Sequence, residues 1–446
     1  MKRIVVLATM LAMVLGFASM AAAADLTATG SWKIVGQWVD NEDFDKSSAE
    51  SDFDVRQRLR TQFNFTANEN LMGALQIEVG SGQWGNRAFG FDADQTVIEV
   101  KSAYINFVWP NTDVSITAGL MPLALPAGPA GSMVLDDDVA ALVVSAPITD
   151  NVSLLAGWAR PYASHIDGNS EDTFMDVSFL AVPVALDGVS FTPYAAYVKT
   201  GSEFLAGALT AGVNPFGMNR TTNGWVSNGY WGLFTQNAST LDIDDNDTGF
   251  DIWYGGLTFD MTLFDPITIG ASFVYGSLDA GADNLDRSGW LADLAVTYTG
   301  LDFVTPELFF TYSSGEDGNA SKGDGGSERL PTLGGDYGFG NYMYNSGGMA
   351  IDNGLQSVGN MVGYWALGLT LKDISFLEGL THSLTIMYAE GTNDKSIGDM
   401  YGRNDEVVAG AAAQSALLAA TNGNSVYGAT LTEEDSIWEI SLVNQY

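Results

Sequence analysis

From Leu26 to Val39 the chain alternates. Leu26, Ala28, Gly30, Trp32, Ile34, Gly36 and Trp38 fall on one parity; Thr27, Thr29, Ser31, Lys33, Val35 and Gln37 fall on the other. Successive strand side chains point to opposite faces, so this period of two predicts a strand with one apolar, aromatic face and one largely polar face. Phe53 to Thr66 repeats the pattern. Phe53, Val55, Leu59, Phe63 and Phe65 share one side, and Arg56, Arg58, Arg60, Gln62, Asn64 and Thr66 the other. Further runs are predicted at Leu71–Gly80, Thr96–Trp109, Val114–Leu120, Val139–Pro147, Val152–Trp158, Thr173–Val184, Val189–Lys199, Phe250–Leu263, Ile267–Gly276, Gly289–Thr299, Val304–Ser313, Met361–Lys372, Leu380–Ala389 and Ser436–Tyr446. With the first two these make about 16 strands. The run at Val139 is nearly all apolar and fits the alternation least.

The connections sort by length. Short ones (68–70, 110–113, 148–151, 185–188, 264–266 and 300–303) alternate with long ones (41–51, 82–95, 121–138, 159–172, 200–249, 277–288, 314–360 and 390–435); the modest 373–379 lies between the last two. Short turns therefore gather at one end of the strands and long loops at the other, as in an up-and-down antiparallel sheet and unlike Greek-key crossings. No later stretch of about 18 uncharged apolar residues follows the N-terminal segment, which excludes helical membrane spans. The expected fold is all-β: a transmembrane up-and-down antiparallel β-barrel, with short periplasmic turns, long extracellular loops, apolar side chains toward lipid and polar ones toward a water-filled lumen. Trp109, Tyr275, Trp290, Tyr298, Trp365 and Tyr388 lie toward strand ends, where interfacial girdles are expected. The alternative is a large soluble β-protein with these rings in its core.

The N-terminus adds a compartment. Met1-Lys2-Arg3 is basic, Ile4 to Phe17 is apolar but for Thr9 and Gly16, and Ala22-Ala23-Ala24 offers a small-residue cleavage site before Asp25. Residues 1–24 read as a secretory signal peptide and 25–446 as the barrel. Without Lys2 and Arg3, the 18 basic residues become 16 against 54 acidic ones, a charge of about −38. Such a chain lacks the basic footprint that nucleic acid requires. There is no cysteine, hence no disulfide framework, and only two histidines, His165 and His382.

The last strand places Trp438, Ile440, Leu442 and Tyr446 on one parity and Glu439, Ser441 and Gln445 on the other, and the chain ends on an aromatic residue. With the ladder Arg56, Arg58, Arg60 and the loop that follows the fifth run, this mature chain resembles the 16-stranded trimeric porins of Gram-negative outer membranes, and looks most like those of sulfate-reducing bacteria. The resemblance implies a homotrimer in the outer membrane, in contact with lipid and lipopolysaccharide, whose C-terminal strand is read by the barrel-insertion machinery. Its trimer interface would use the early strands, where Gln57, Thr61 and Ser102 are polar residues of outward parity and Gly30 and Gly36 are small. It also implies that the third long loop folds into the lumen and sets carboxylates against a basic wall.

The residues fit that expectation. The loop Met121–Asp138 is mostly apolar or small, which suits a packed segment better than a solvated one, and ends in Asp136, Asp137 and Asp138. By parity the inner faces of the first four strands carry Lys33; Arg56, Arg58 and Arg60; Gln76 and Glu78; and Glu99 and Lys101. The candidate site is thus a pore-lining basic wall (Lys33, Arg56, Arg58, Arg60, Lys101) facing Glu78, Glu99 and Asp136 to Asp138, a transverse field across a narrow lumen. The bland readings are a solvated sheet face for the arginines and a turn with strand entry for the aspartates. The acidic run Asp242–Gly249 has Ca²⁺-type donors but lacks the EF-hand's terminal Glu, leaving only nonspecific Ca²⁺ binding. His382 and Ser383 are adjacent and point to opposite faces, so they make no catalytic pair. The expected function is therefore passive diffusion of small hydrophilic solutes and ions, with no enzyme activity and no cofactor. The alternatives are a substrate-selective porin, or a structural or adhesive barrel with a plugged lumen.

Overall fold

The computed structural model describes residues 25–40, 51–85, 98–163, 174–202, 220–221, 224–225, 249–279, 286–315, 317, 328–340, 363–395 and 431–445. Residues 1–24, His165, nearly all of the run 242–249 and Tyr446 lie outside them. Every described element is a strand: β1 (Asp25–Asp40), β2 (Ser51–Asn68), β3 (Leu71–Gln83), β4 (Ile98–Val108), β5 (Ser115–Ala124), β6 (Gly131–Ser132), β7 (Asp136–Thr149), β8 (Val152–Ala163), β9 (Phe174–Ala181), β10 (Val184–Leu186) and β11 (Val189–Thr200). There follow β12 (Arg220–Thr221), β13 (Gly224–Trp225), β14 (Asp251–Phe264), β15 (Ile267–Asp279), β16 (Arg287–Tyr298), β17 (Thr305–Ser313), β18 (Asp336–Tyr337), β19 (Tyr364–Leu377), β20 (Leu380–Gly391) and β21 (Ser436–Gln445).

Seventeen of these form one sheet in which each strand pairs antiparallel with its neighbours in the chain, and β9 and β10 share one place between β8 and β11. Each predicted run coincides with a strand. The sheet has one strand more than expected because the run Thr173–Val184 divides at Val182-Pro183, where proline offers no ladder N–H. The strands also reach further into the long connections than the alternation suggested. Residues Met121–Ala124 pair with Asp136–Val139, so the third long connection shortens to residues 125–135.

The two faces differ. One exposes large apolar side chains from the first strand to the last, among them Trp32 (66%), Trp253 (60%) and Ile440 (71%). Rings on this face touch in succession near the long loops: Tyr197 with Trp253 (4.3 Å), Trp290 with Tyr312 (4.8 Å), Trp365 with Tyr388 (5.5 Å) and Tyr388 with Trp438 (5.0 Å). A second set, including Trp109, Phe264, Tyr298 and Phe376, is exposed near the short turns. Trp290 and Tyr298 share β16 eight residues apart, about 26 Å along the strand.

The opposite face carries the core. Met175, Val177, Ala196, Val198, Ile252 and Leu291 are almost wholly buried on it. The expectation of a polar lumen face is thus corrected for β7 to β16. Here the inner face is largely apolar because the chain's own loops cover it. This explains the poor alternation at Val139: Val139 and Ala141 are buried inside, while Leu142 and Ile148 are exposed outside.

The covering segments are residues 125–135 and 328–340. β6 pairs with β18, matching Ser132 with Asp336 and Gly131 with Tyr337, and Leu135 bridges to Gly334. The Leu333 N–H donates to the Val134 carbonyl (2.9 Å) and the Gly338 N–H to that of Ala130 (2.8 Å). Opposed antiparallel residues lie about 4.5–5.5 Å apart at Cα, inside the disulfide range. The double substitution Ser132→Cys with Asp336→Cys is therefore expected to oxidise to one intramolecular disulfide, read as a loss of two hydrogens in the intact mass. Persistently free thiols would separate the two segments.

Candidate functional site: a charged wall and an interior loop body

The charged wall follows from register. β1 and β2 set Lys33 opposite Arg58, Ser31 opposite Arg60 and Val35 opposite Arg56. Directly opposed residues share a face, so Lys33 and the three arginines form one cationic cluster, in which like charges repel unless compensated. The next pairing supplies compensation: Arg60 lies opposite Glu78 and bonds it, Nε to Oε2, at 2.6 Å. Glu78 is buried and Arg60 half-exposed. Glu99 is exposed and stands opposite Glu78. Toward the short turns the same face stays polar, with Gln62 bonded to Asn64 (2.8 Å), and Asn106 to Ser115 (2.7 Å) and Thr117 (2.8 Å).

Two expectations are corrected. In β4 the register slips by one residue: Gln76 opposes Ser102 and Ile77 opposes Val100, leaving Lys101 as the extra residue of a bulge. The bulge resets the alternation, so Ser102, expected outward, is buried on the inner face. Lys101 leaves the cationic cluster and pairs with Asp138, Nζ to Oδ2, at 2.6 Å. The three aspartates do not sit on the loop. They head β7, opposite Ala124, Leu123 and Pro122, as a strand entry. Asp137 has the parity of buried Val139 and Ala141, while Asp136 and Asp138 have that of Ala140 and Leu142. Strand pairing of Met121–Ala124 claims them for the wall.

The loop body presses against the inner faces of β14 to β17. Leu125, Ala130, Met133, Val134, Leu330 and Tyr337 join one apolar cluster with Ile252, Tyr254, Val274 and Leu291. Phe339 stacks on Phe309 at 4.4 Å with rings 9° from parallel. At Gly128 a side chain would meet Asp293 Oδ1 at 2.5 Å, and at Gly289 it would meet the Leu330 nitrogen at 2.3 Å, so both close approaches require glycine. Polar anchors complete the attachment. The Tyr254 hydroxyl donates to the Pro331 carbonyl (3.0 Å). Asp293 Oδ2 accepts from Ser272 Oγ (2.5 Å) and from the Tyr337 hydroxyl (3.4 Å), and Tyr337 also bonds Thr311 (2.6 Å). Burial pushes the Tyr337 phenol well above its ordinary range, so it remains a donor.

Residues 328–340 were not anticipated. Their signal is compositional: Leu330-Pro331-Thr332-Leu333-Gly334-Gly335 echoes the apolar and glycine-rich third connection. Beneath Pro129 and Phe339 lies an open cavity of about 320 Å³, bordered by Thr370, Thr385 and the ion pair Lys372–Glu307 (2.6 Å). His382 bonds Asn444 on its neighbouring strand (2.5 Å) and rests against Phe376. Among the described residues no group of three or more His, Cys, Asp or Glu side chains is placed to hold a metal ion.

No protein-family model matches the chain, and no curated protein sequence matches it. Among solved structures it is similar to OmpT, an outer membrane protein of Vibrio cholerae, at 10% identity and a TM-score of 0.43, over 84% of this chain and 89% of that one. It is similar to an anion-selective porin from Comamonas acidovorans at 10% identity and a TM-score of 0.42, over 82% and 90%. It is also similar to Salmonella typhi OmpF in complex with daunomycin at 12% identity and a TM-score of 0.43, over 94% and 97%.

Tyr337→Phe is expected to cost about 1–3 kcal/mol, since it removes a buried hydroxyl from two partners. The measurement is the denaturant midpoint followed by tryptophan fluorescence; an unchanged midpoint would remove the hydroxyl from the anchor.

Proposed function

We propose that this chain is an outer-membrane porin of a Gram-negative bacterium. It is a closed transmembrane barrel, exported by a cleaved signal at residues 1–24 and assembled as a homotrimer, that lets small hydrophilic solutes and ions diffuse passively and carries out no covalent chemistry. One observation carries the reading: the exposed face of the sheet is apolar from β1 to β21. In water so large an apolar patch is untenable. In lipid it is the stable arrangement, provided every backbone group pairs within the sheet, and this in turn requires β1 to close on β21. The two sets of exposed rings are spaced as headgroup girdles would be.

The loop body narrows the lumen, and the cationic wall of Lys33, Arg56, Arg58 and Arg60 borders what remains. Glu78, Glu99 and Asp137 provide carboxylates on the same inner surface. Arginine suits this wall because it stays charged at every working pH. A plugged structural barrel is the second reading, favoured by the apolar packing of the body within the lumen.

Reconstituted in planar bilayers, the protein is expected to conduct in triplet steps that scale with bulk salt. A silent bilayer would overturn the channel in favour of the plugged barrel. Replacing Arg56, Arg58 and Arg60 together with alanine is expected to shift the reversal potential under a salt gradient toward cation preference. An unmoved reversal potential would take the three arginines out of the narrow section.

A further inference from the structure

We infer that the water path runs off the barrel axis, along the inner faces of β1 and β2, and that residues 328–340 close the remainder jointly with residues 125–135. The inference rests on the porin reading and assigns the two loops one task, a longitudinal partition.

Burial around the inner face carries it. From β3 to β21, at the level of the loop body, inner side chains are almost wholly covered: Glu78, Met121, Ala196, Ala295, Met387 and Glu439 are each at most 7% exposed. Most are apolar, and a hydrated passage along them would have to wet an interior that excludes water at this packing. The remaining sector differs in both accessibility and chemistry. Thr29 and Ser31 on β1 are exposed, and Lys33 on β1 and Arg56, Arg58, Arg60 and Gln62 on β2 are half-buried. All are polar or charged, as a wetted wall requires.

Neither loop makes the partition alone. Residues 125–135 reach β15 and β16 through Gly128, whose position abuts Ser272 and Asp293. Residues 328–340 extend the cover across β17 by the Phe339–Phe309 stack and the Tyr337–Thr311 bond. Paired backbones join the two. Removing residues 328–340 would uncover the inner faces of β16 and β17 and widen the path toward the axis.

The chain has no cysteine, so single cysteines report position without background. Ser31→Cys and Gln62→Cys mark the open sector; Ala196→Cys and Ala295→Cys mark the covered one, at small residues whose replacement disturbs packing little. The probe is the cationic thiol reagent trimethylammonium-ethyl methanethiosulfonate, applied to the folded full-length protein and read by intact mass and by bilayer current. Ser31→Cys and Gln62→Cys are expected to react at least about tenfold faster, because a covered thiol reacts only through local opening, and their modification is expected to lower conductance. Comparable rates at all four positions overturn the partition. If Ala295→Cys does not fold, Ala196→Cys carries the same comparison. A labelling contrast without current supports the partition while overturning the channel; current with uniform labelling does the reverse.

Discussion

A sheet that turns its apolar side chains outward has given up the usual way of building a core. Its stability then depends on its backbone hydrogen bonds and on whatever the chain can pack against its inner side. Here the first is supplied by pairing between chain neighbours from β1 through to β21. The second is met by two connections that return inside and bury one large apolar cluster. Inner face and loops are complementary in composition, so neither makes sense without the other.

That division leaves the charged groups with little choice of place. Where the loops cover the wall, a charge would be desolvated. The cations of β1 and β2 therefore stand in the uncovered arc, and their ladder tolerates its own repulsion because β3 places Glu78 beside Arg60. Charges are nevertheless buried inside the covered arc, Arg287 and Asp293 on β16 among them, and Asp293 is held by hydroxyl donors from both the wall and the loop body.

Much of the sheet was legible because a period of two is a local property. Trp253, Leu257, Phe310 and Ile440 announce their face by parity alone, and loop lengths give antiparallel neighbours. The arginine ladder was legible for the same reason. What failed depends on non-local facts. Ser102 changed face because one bulged residue at Lys101 resets the count, and nothing within β4 marks it. Asp136 to Asp138 look like a loop tip until Met121–Ala124 is known to pair with them. The apolar third connection betrayed its burial by composition, but its partner β18 is remote in the chain, and no periodicity joins the two.

That remoteness has a kinetic consequence. Ser132 and Asp336 are paired yet roughly two hundred residues apart in sequence, and a contact of such separation is formed only after the intervening chain has been brought to order. The strands between them, from β7 to β17, must be aligned before β6 and β18 can meet. The loop body is thus expected to dock late, onto an apolar sheet face that is already formed. On that expectation the loop body is a late product of folding rather than a frame on which the sheet is built.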